Sequence, residues 1–168
     1  MIVGHLALAY IGKRTFFQTE NYYLLVAASY GPDIVDKTAS VLFGFPGRNL
    51  GHSLALLLVL LAAAWVVSAA LGCRKHWITA CAVMWLAHLA GDFVRPVILL
   101  WPLQGSFTGE PFAFPGVFYR MYVELLWPAQ LALEICLVFI ALCLMCEVPA
   151  QVTCRGTHVE GGRNGSAD

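Results

Sequence analysis

The chain has 168 residues, 60% of them hydrophobic and 12% charged, and its mean hydropathy is +0.73. That composition excludes an ordinary soluble domain and describes a small integral membrane protein. Ten Lys and Arg balance ten Asp and Glu, so no net field points to nucleic acid or to an acidic substrate.

Met1 to Gly12 is a short apolar segment carrying His5, and Asn21 to Tyr30 is another; the polar turn Lys13 to Glu20 joins them. Each is shorter than the roughly 20 residues that cross a bilayer, so a hairpin of two short helices is expected. Gly31-Pro32 is expected to stop the second helix, leaving 33–51 as a polar connection with Asp33, Asp36, Lys37 and Arg48. His52 to Leu71 reads as a full span, ended by Gly72-Cys73-Arg74-Lys75. Trp77 to Trp101 reads as the next, and Pro102 to Gly116 as a loop rich in Gly, Pro and Phe at the interface. The last span begins near Val117 to Tyr122 and ends near Glu147. The six cysteines fall in or beside apolar segments and read as small apolar residues. The expected architecture is all-α: a small multi-span membrane protein with three long spans and an N-terminal pair of short helices. A single helical domain covers 1–149, and 150–168 is a polar, disordered tail.

His88-Leu-Ala-Gly-Asp92 lies inside the expected second span. Four residues apart on a helix, an imidazole and a carboxylate share one face and can reach one ion. Ionisable groups at membrane depth are costly and mark functional sites. Threading the helices up and down brings His5, Asp33, Asp36, His52, His88 and Asp92 to one membrane face, with Glu124 on the same side. Three imidazoles with three or four carboxylates suit zinc, manganese or a similar divalent ion, one or two in number. Such ions activate water and clamp the oxygens of a phosphoester. The duller readings are local: Asp33 capping a turn, Asp36 paired with Lys37, Asp92 with Arg95, and Arg120 with Glu124. Glu134 falls off the common face and stays unassigned.

The ordered motifs Gly4-His5, Pro32-Asp33-Ile34-Val35-Asp36, His52-Ser53, His88-Leu89-Ala90-Gly91-Asp92 and Leu100-Trp101-Pro102 resemble the predicted membrane-bound metal-dependent hydrolases of bacteria and archaea. The resemblance covers about Met1 to Leu103. It implies a helical membrane protein remotely similar to zinc-dependent phospholipase C, with His5, Asp33, Asp36, His52, His88 and Asp92 as metal ligands. Many relatives read His-Arg-x-x-Thr-His-Ser where this chain has Gly47-Arg48-Asn49-Leu50-Gly51-His52-Ser53.

The leading expectation is therefore a metal-dependent hydrolase acting on a phosphoester such as a lipid headgroup, with membrane lipids as its surroundings. Asp36 and Asp92 are the expected catalytic carboxylates, Asp36 as a further ligand or a general base. Arg48 or Arg95 neutralises the phosphate, and the aromatic loop Phe107 to Phe118 covers the site. The alternative is a non-catalytic membrane protein whose polar cluster holds a structural ion or handles ions. No HExxH occurs, so zinc-protease chemistry has no motif. Lys13, Arg14, Arg74 and Lys75 fall on the face opposite the cluster, which by the positive-inside bias turns the cluster outwards.

Overall fold

The computed structural model describes residues 3–72, 75–92, 96–107 and 127–146, and every regular element among them is helical. In chain order these are α1 (Val3–Thr15), α2 (Tyr22–Phe43), a 3-10 turn (Leu50–His52), α3 (Leu54–Ala70), α4 (His76–Gly91), the short α5 (Pro96–Leu99) and α6 (Pro128–Cys146). α2 is the central element. It packs on α1, on α4 and on the 3-10 turn, while α1 also lies along α6 and α3 rests on α4.

Local chemistry sets the helix ends. The Asn21 side chain accepts the Tyr23 N–H at 2.8 Å and opens α2. Lys13 closes the turn before it by donating to the carbonyls of Gln18 and Glu20, each at 2.6 Å. α2 ends on Gly44 at φ 68°, a left-handed conformation that glycine adopts without penalty, and the Gly44 N–H returns to the Ser40 carbonyl.

Two expectations about the helices are corrected. Gly31-Pro32 does not stop the second helix, which runs 22 residues with Pro32 inside it. An interior proline costs about 3 kcal/mol through its missing N–H and its clash with the turn behind. Here tertiary contact offsets that cost. Gly31 lies against the Trp85 ring and Pro32 is fully buried against Gly51, so the proline turn sits at the junction of three elements.

The second correction concerns the spans. Only α6, with 19 residues and a mean hydropathy of 2.4, is long and apolar enough to cross a bilayer among the described residues. α3 has 17 residues, and the expected span from Trp77 to Trp101 ends at Gly91 after 16. The break falls at polar contacts: Asp92, just past the end of α4, faces Arg48 and His52. The start of the expected last span, and the tail, lie outside the described residues.

The exposed surface is apolar along α3 and α6, where Leu58, Val59, Val66, Ile135 and Phe139 are each more than half exposed. Patches of this kind on water-soluble monomers are rare, and lipid is the medium that suits them.

Candidate metal centre

The segment after α2 folds back over the helix it has just left. Asp36, fully buried one turn beyond Pro32, holds it there. Its Oδ2 accepts the Asn49 N–H at 2.7 Å and faces His52 Nδ1 at 2.6 Å, while its Oδ1 accepts the Gly51 N–H. Asn49, also fully buried, donates from Nδ2 to the carbonyls of Pro46 at 2.6 Å and Asp36 at 3.3 Å. The N–H groups of Asn49 and Gly51 and the Asn49 amide are thereby answered. Gly51 permits the approach: a Cβ there would overlap the Pro32 carbonyl oxygen and come within 2.7 Å of Asp36 Oδ1.

The consequence for His52 is a fixed ring. With Nδ1–H donated to Asp36, Nε2 is the ring nitrogen left to face His88, Asp92 and Asp33. This residue stands in the 3-10 turn, outside the membrane-crossing helices. Burial opposes its charged form, but the Asp36 and Asp92 carboxylates outweigh burial and raise the imidazole above its ordinary value.

His88 is fixed in the same way from the other side. Its Nδ1 donates to the Ser29 carbonyl at 2.7 Å, in the α2 turn just before Pro32. Its Nε2 therefore faces His52 Nε2, 3.2 Å away. Asp92 Oδ2 lies 3.5 Å from His52 Nε2 and 3.8 Å from His88 Nε2. Asp33 completes the group: one ligand atom from each of Asp33, His52, His88 and Asp92 falls within 4.8 Å of all the others. His52, His88 and Asp92 are buried and Asp33 is partly so.

These spacings can be set against a divalent ion. Ligand bonds of about 2.0–2.1 Å in a tetrahedron place neighbouring donors roughly 3.3 Å apart. The His52, His88 and Asp92 separations of 3.2 to 3.8 Å bracket that value. Two imidazole lone pairs facing each other repel unless a proton or a cation lies between them, and the carboxylates of buried Asp92 and partly buried Asp33 add negative charge. The Asp33, His52, His88 and Asp92 donor set could hold a metal ion. Lys37 Nζ steadies Asp33 at 3.1 Å and Arg48 Nη2 steadies Asp92 at 3.3 Å.

Two of the expected ligands stand elsewhere. Asp36 lies behind His52, not among the four, because its acceptors are taken by Asn49, Gly51 and His52. His5 is fully buried with its ring stacked on that of His88, centroids 4.3 Å apart, and it also touches Tyr30. Neither of its ring nitrogens has a hydrogen-bond partner, and it borders the group without belonging to it.

Several contributors carry no signal in the sequence. Ser29, Asn49 and Trp85 act through a backbone carbonyl, a buried amide and an indole that donates to the Gly51 carbonyl at 3.2 Å. Glu134, unassigned from sequence, is buried on α6 and accepts the Gly4 N–H at 3.4 Å, next to His5. Only the docking of α1 on α6 brings it there. Arg95, Arg120, Glu124 and residues 108–118 of the aromatic loop lie outside the described residues.

No curated protein and no solved structure matches this chain. A family model does, over residues 1–153 of 168. The match agrees with a membrane protein at the level of the resemblance drawn from the motifs, and with the apolar α6. The chain belongs to the YdjM inner membrane protein family.

Proposed function

We propose that this protein is a metal-dependent hydrolase at the membrane surface, acting on a phosphoester such as a phospholipid headgroup. One observation carries the reading. His52 and His88 each have Nδ1 held by an acceptor, so both Nε2 atoms converge, 3.2 Å apart, beside Asp92. Helix packing alone does not call for two buried imidazoles aimed at one point with carboxylates beside them.

In this reading Asp33, His52, His88 and Asp92 hold the ion. A divalent ion in that place supplies Lewis acidity and makes a nucleophile of water near neutral pH. The chain's own residues do the rest. Asp36 orients His52 and is not a base, since it is fully buried with its oxygens engaged. Arg48, about one third exposed at the edge of the centre, places positive charge where a phosphate enters. Of the two carboxylates among the four, Asp33 is the more open to solvent, 21% exposed against 4% for Asp92. By the positive-inside bias, Lys13 and Arg14 at the end of α1 and Arg74 and Lys75 before α4 favour a centre that faces outwards.

The test is metal content together with turnover. The detergent-purified protein, analysed by mass spectrometry, is expected to hold zinc or manganese that disappears in a His88→Ala, Asp92→Ala double variant. Phospholipid or phosphodiester hydrolysis is expected in the wild type and absent in Asp92→Asn. Turnover retained in Asp92→Asn sinks the assignment, and bound metal without turnover of any phosphoester returns the centre to a structural role.

Acid should empty the centre. The raised His52 imidazole holds a proton that an ion must displace, so affinity falls by about tenfold per pH unit below that imidazole's pKa for each proton exchanged. Retained metal after equilibration across pH 8 to 5 checks this; a flat profile would mean that His52 is not a ligand.

A further inference from the structure

A cavity of about 220 Å³ opens between α2, α3 and α4, lined by Ala28, Leu57, Leu61, Ala64, Cys81 and Trp85 among others. Its lining is apolar throughout. Two lining side chains, Trp77 and Trp85, have an indole N–H; that of Trp85 is spent on the Gly51 carbonyl, so its ring offers carbon to the cavity.

The position of the cavity is as telling as its lining. On each of the three helices the cavity residues continue the line of the centre at helical spacing. Ala28 precedes Ser29, whose carbonyl holds His88, and Asp33 follows just over a turn later. Leu57 and Leu61 come one and two turns after Ser53, the residue next to His52. Trp85 and Cys81 precede His88 and Asp92 on α4. Trp85 links the two: its ring lines the cavity, its indole nitrogen donates to the Gly51 carbonyl next to His52, and from it the lining continues on α4 to Trp77. Its length from Trp85 to Trp77 is eight residues of helix, about 12 Å. That is close to the depth of one leaflet, half of a hydrocarbon core about 30 Å thick.

We propose that this cavity holds one acyl chain of a phospholipid whose phosphate reaches the Asp33, His52, His88 and Asp92 centre. The inference rests on the hydrolase reading for its headgroup end and on the cavity alone for its chain end. The medium supplies the occupant. α3, one of the lining helices, exposes Leu58, Val59 and Val66 on its outer face, an apolar surface that in a bilayer is bathed in lipid tails beside the groove. Arg48, beside Asp92, stands at the polar end to meet a phosphate. The substrate is then a lipid drawn sideways from the bilayer, and a water-soluble phosphoester fills only the polar end.

The test uses the full chain in nanodiscs of phosphatidylethanolamine and phosphatidylglycerol, with phosphatidylglycerol carrying a diazirine midway along one acyl chain. Irradiation is expected to label Leu57, Leu61 and Cys81 in preference to the outward-facing Leu58, Val59 and Val66. Ala64→Trp and, independently, Leu60→Trp fill the groove, displace several methylenes and lower that labelling by about tenfold or more, with metal content and thermal midpoint unchanged. The same variants should lose turnover of long-chain phosphatidylglycerol and keep turnover of bis(p-nitrophenyl) phosphate. Labelling spread evenly over the outer faces and indifferent to both variants means surrounding lipid only and overturns the proposal. Cross-linked dimers in place of lipid adducts overturn it in favour of a second copy. Groove labelling with no hydrolysis of either compound upholds the chain site while refuting the hydrolase reading, so the two fail separately.

Discussion

Asp36→Asn is expected to weaken divalent-ion binding by about 10–100-fold, the effect usual for removing a carboxylate that orients a ligating histidine. The buried Asp36 carboxylate serves three donors: the N–H groups of Asn49 and Gly51 and Nδ1 of His52. An amide offers one acceptor oxygen and brings two N–H donors of its own. At least one buried group is left without a partner, at a cost of about 1–3 kcal/mol, so the variant should also melt earlier. The His52 ring, no longer held through Nδ1, then loses its aim at His88. Zinc affinity by chelator competition, measured beside the thermal midpoint in detergent, reads both effects. Wild-type affinity in a destabilised variant would show that Asp36 secures the fold without orienting the ligand.

Gly51→Thr should fail to improve the protein even though it restores the residue that many of the resembling hydrolases carry before the His-Ser motif. The 3-10 turn lies so close to α2 that any Cβ at Gly51 overlaps the Pro32 carbonyl oxygen and crowds Asp36 Oδ1. Backbone has to move on one side or the other, and neither Pro32 nor the turn is at a flexible end. The expected penalty is about 1–3 kcal/mol from overpacking, with a similar loss where the Gly51 N–H leaves Asp36. Folded yield, thermal midpoint and metal content should all drop. A variant as stable as wild type that binds metal more tightly would mean that the turn has room and that glycine there weakens the centre. Local packing thus gives glycine at this position a role of its own: it lets Asp36 hold the turn from inside α2.

The polar residues could be read as a group because of arithmetic along helices. His88 and Asp92 are four apart, and His52 opens a long apolar run. Topology without coordinates was enough to place them at one end. What could not be read is which of them face the same point. Asp36 and Asp33 lie three residues apart on one helix, and pattern alone treats them alike. Only the fold-back of 44–53 takes Asp36 into three internal hydrogen bonds while Asp33 turns to the histidines. His5 is the converse case, a residue delivered to the right neighbourhood with its ring stacked on His88 and its nitrogens outside the group.

Composition by itself determined the medium, since 60% hydrophobic residues and a near-absence of charge in long runs leave lipid as the compatible solvent. Helical class and the identity of the polar cluster follow from the same short-range rules. The lengths of the helices were decided by tertiary contact. Gly31-Pro32 reads as a stop, yet burial of that turn against Trp85 and Gly51 offsets the proline's cost and carries α2 on to Phe43. An unbroken apolar run reads as a span, yet Asp92 ends α4 because its carboxylate is held by Arg48 and the two histidines. Local propensity is summed over neighbours in sequence and amounts to a few kcal/mol; a buried charge with partners from three elements outweighs it, and those partners come together only in the folded chain.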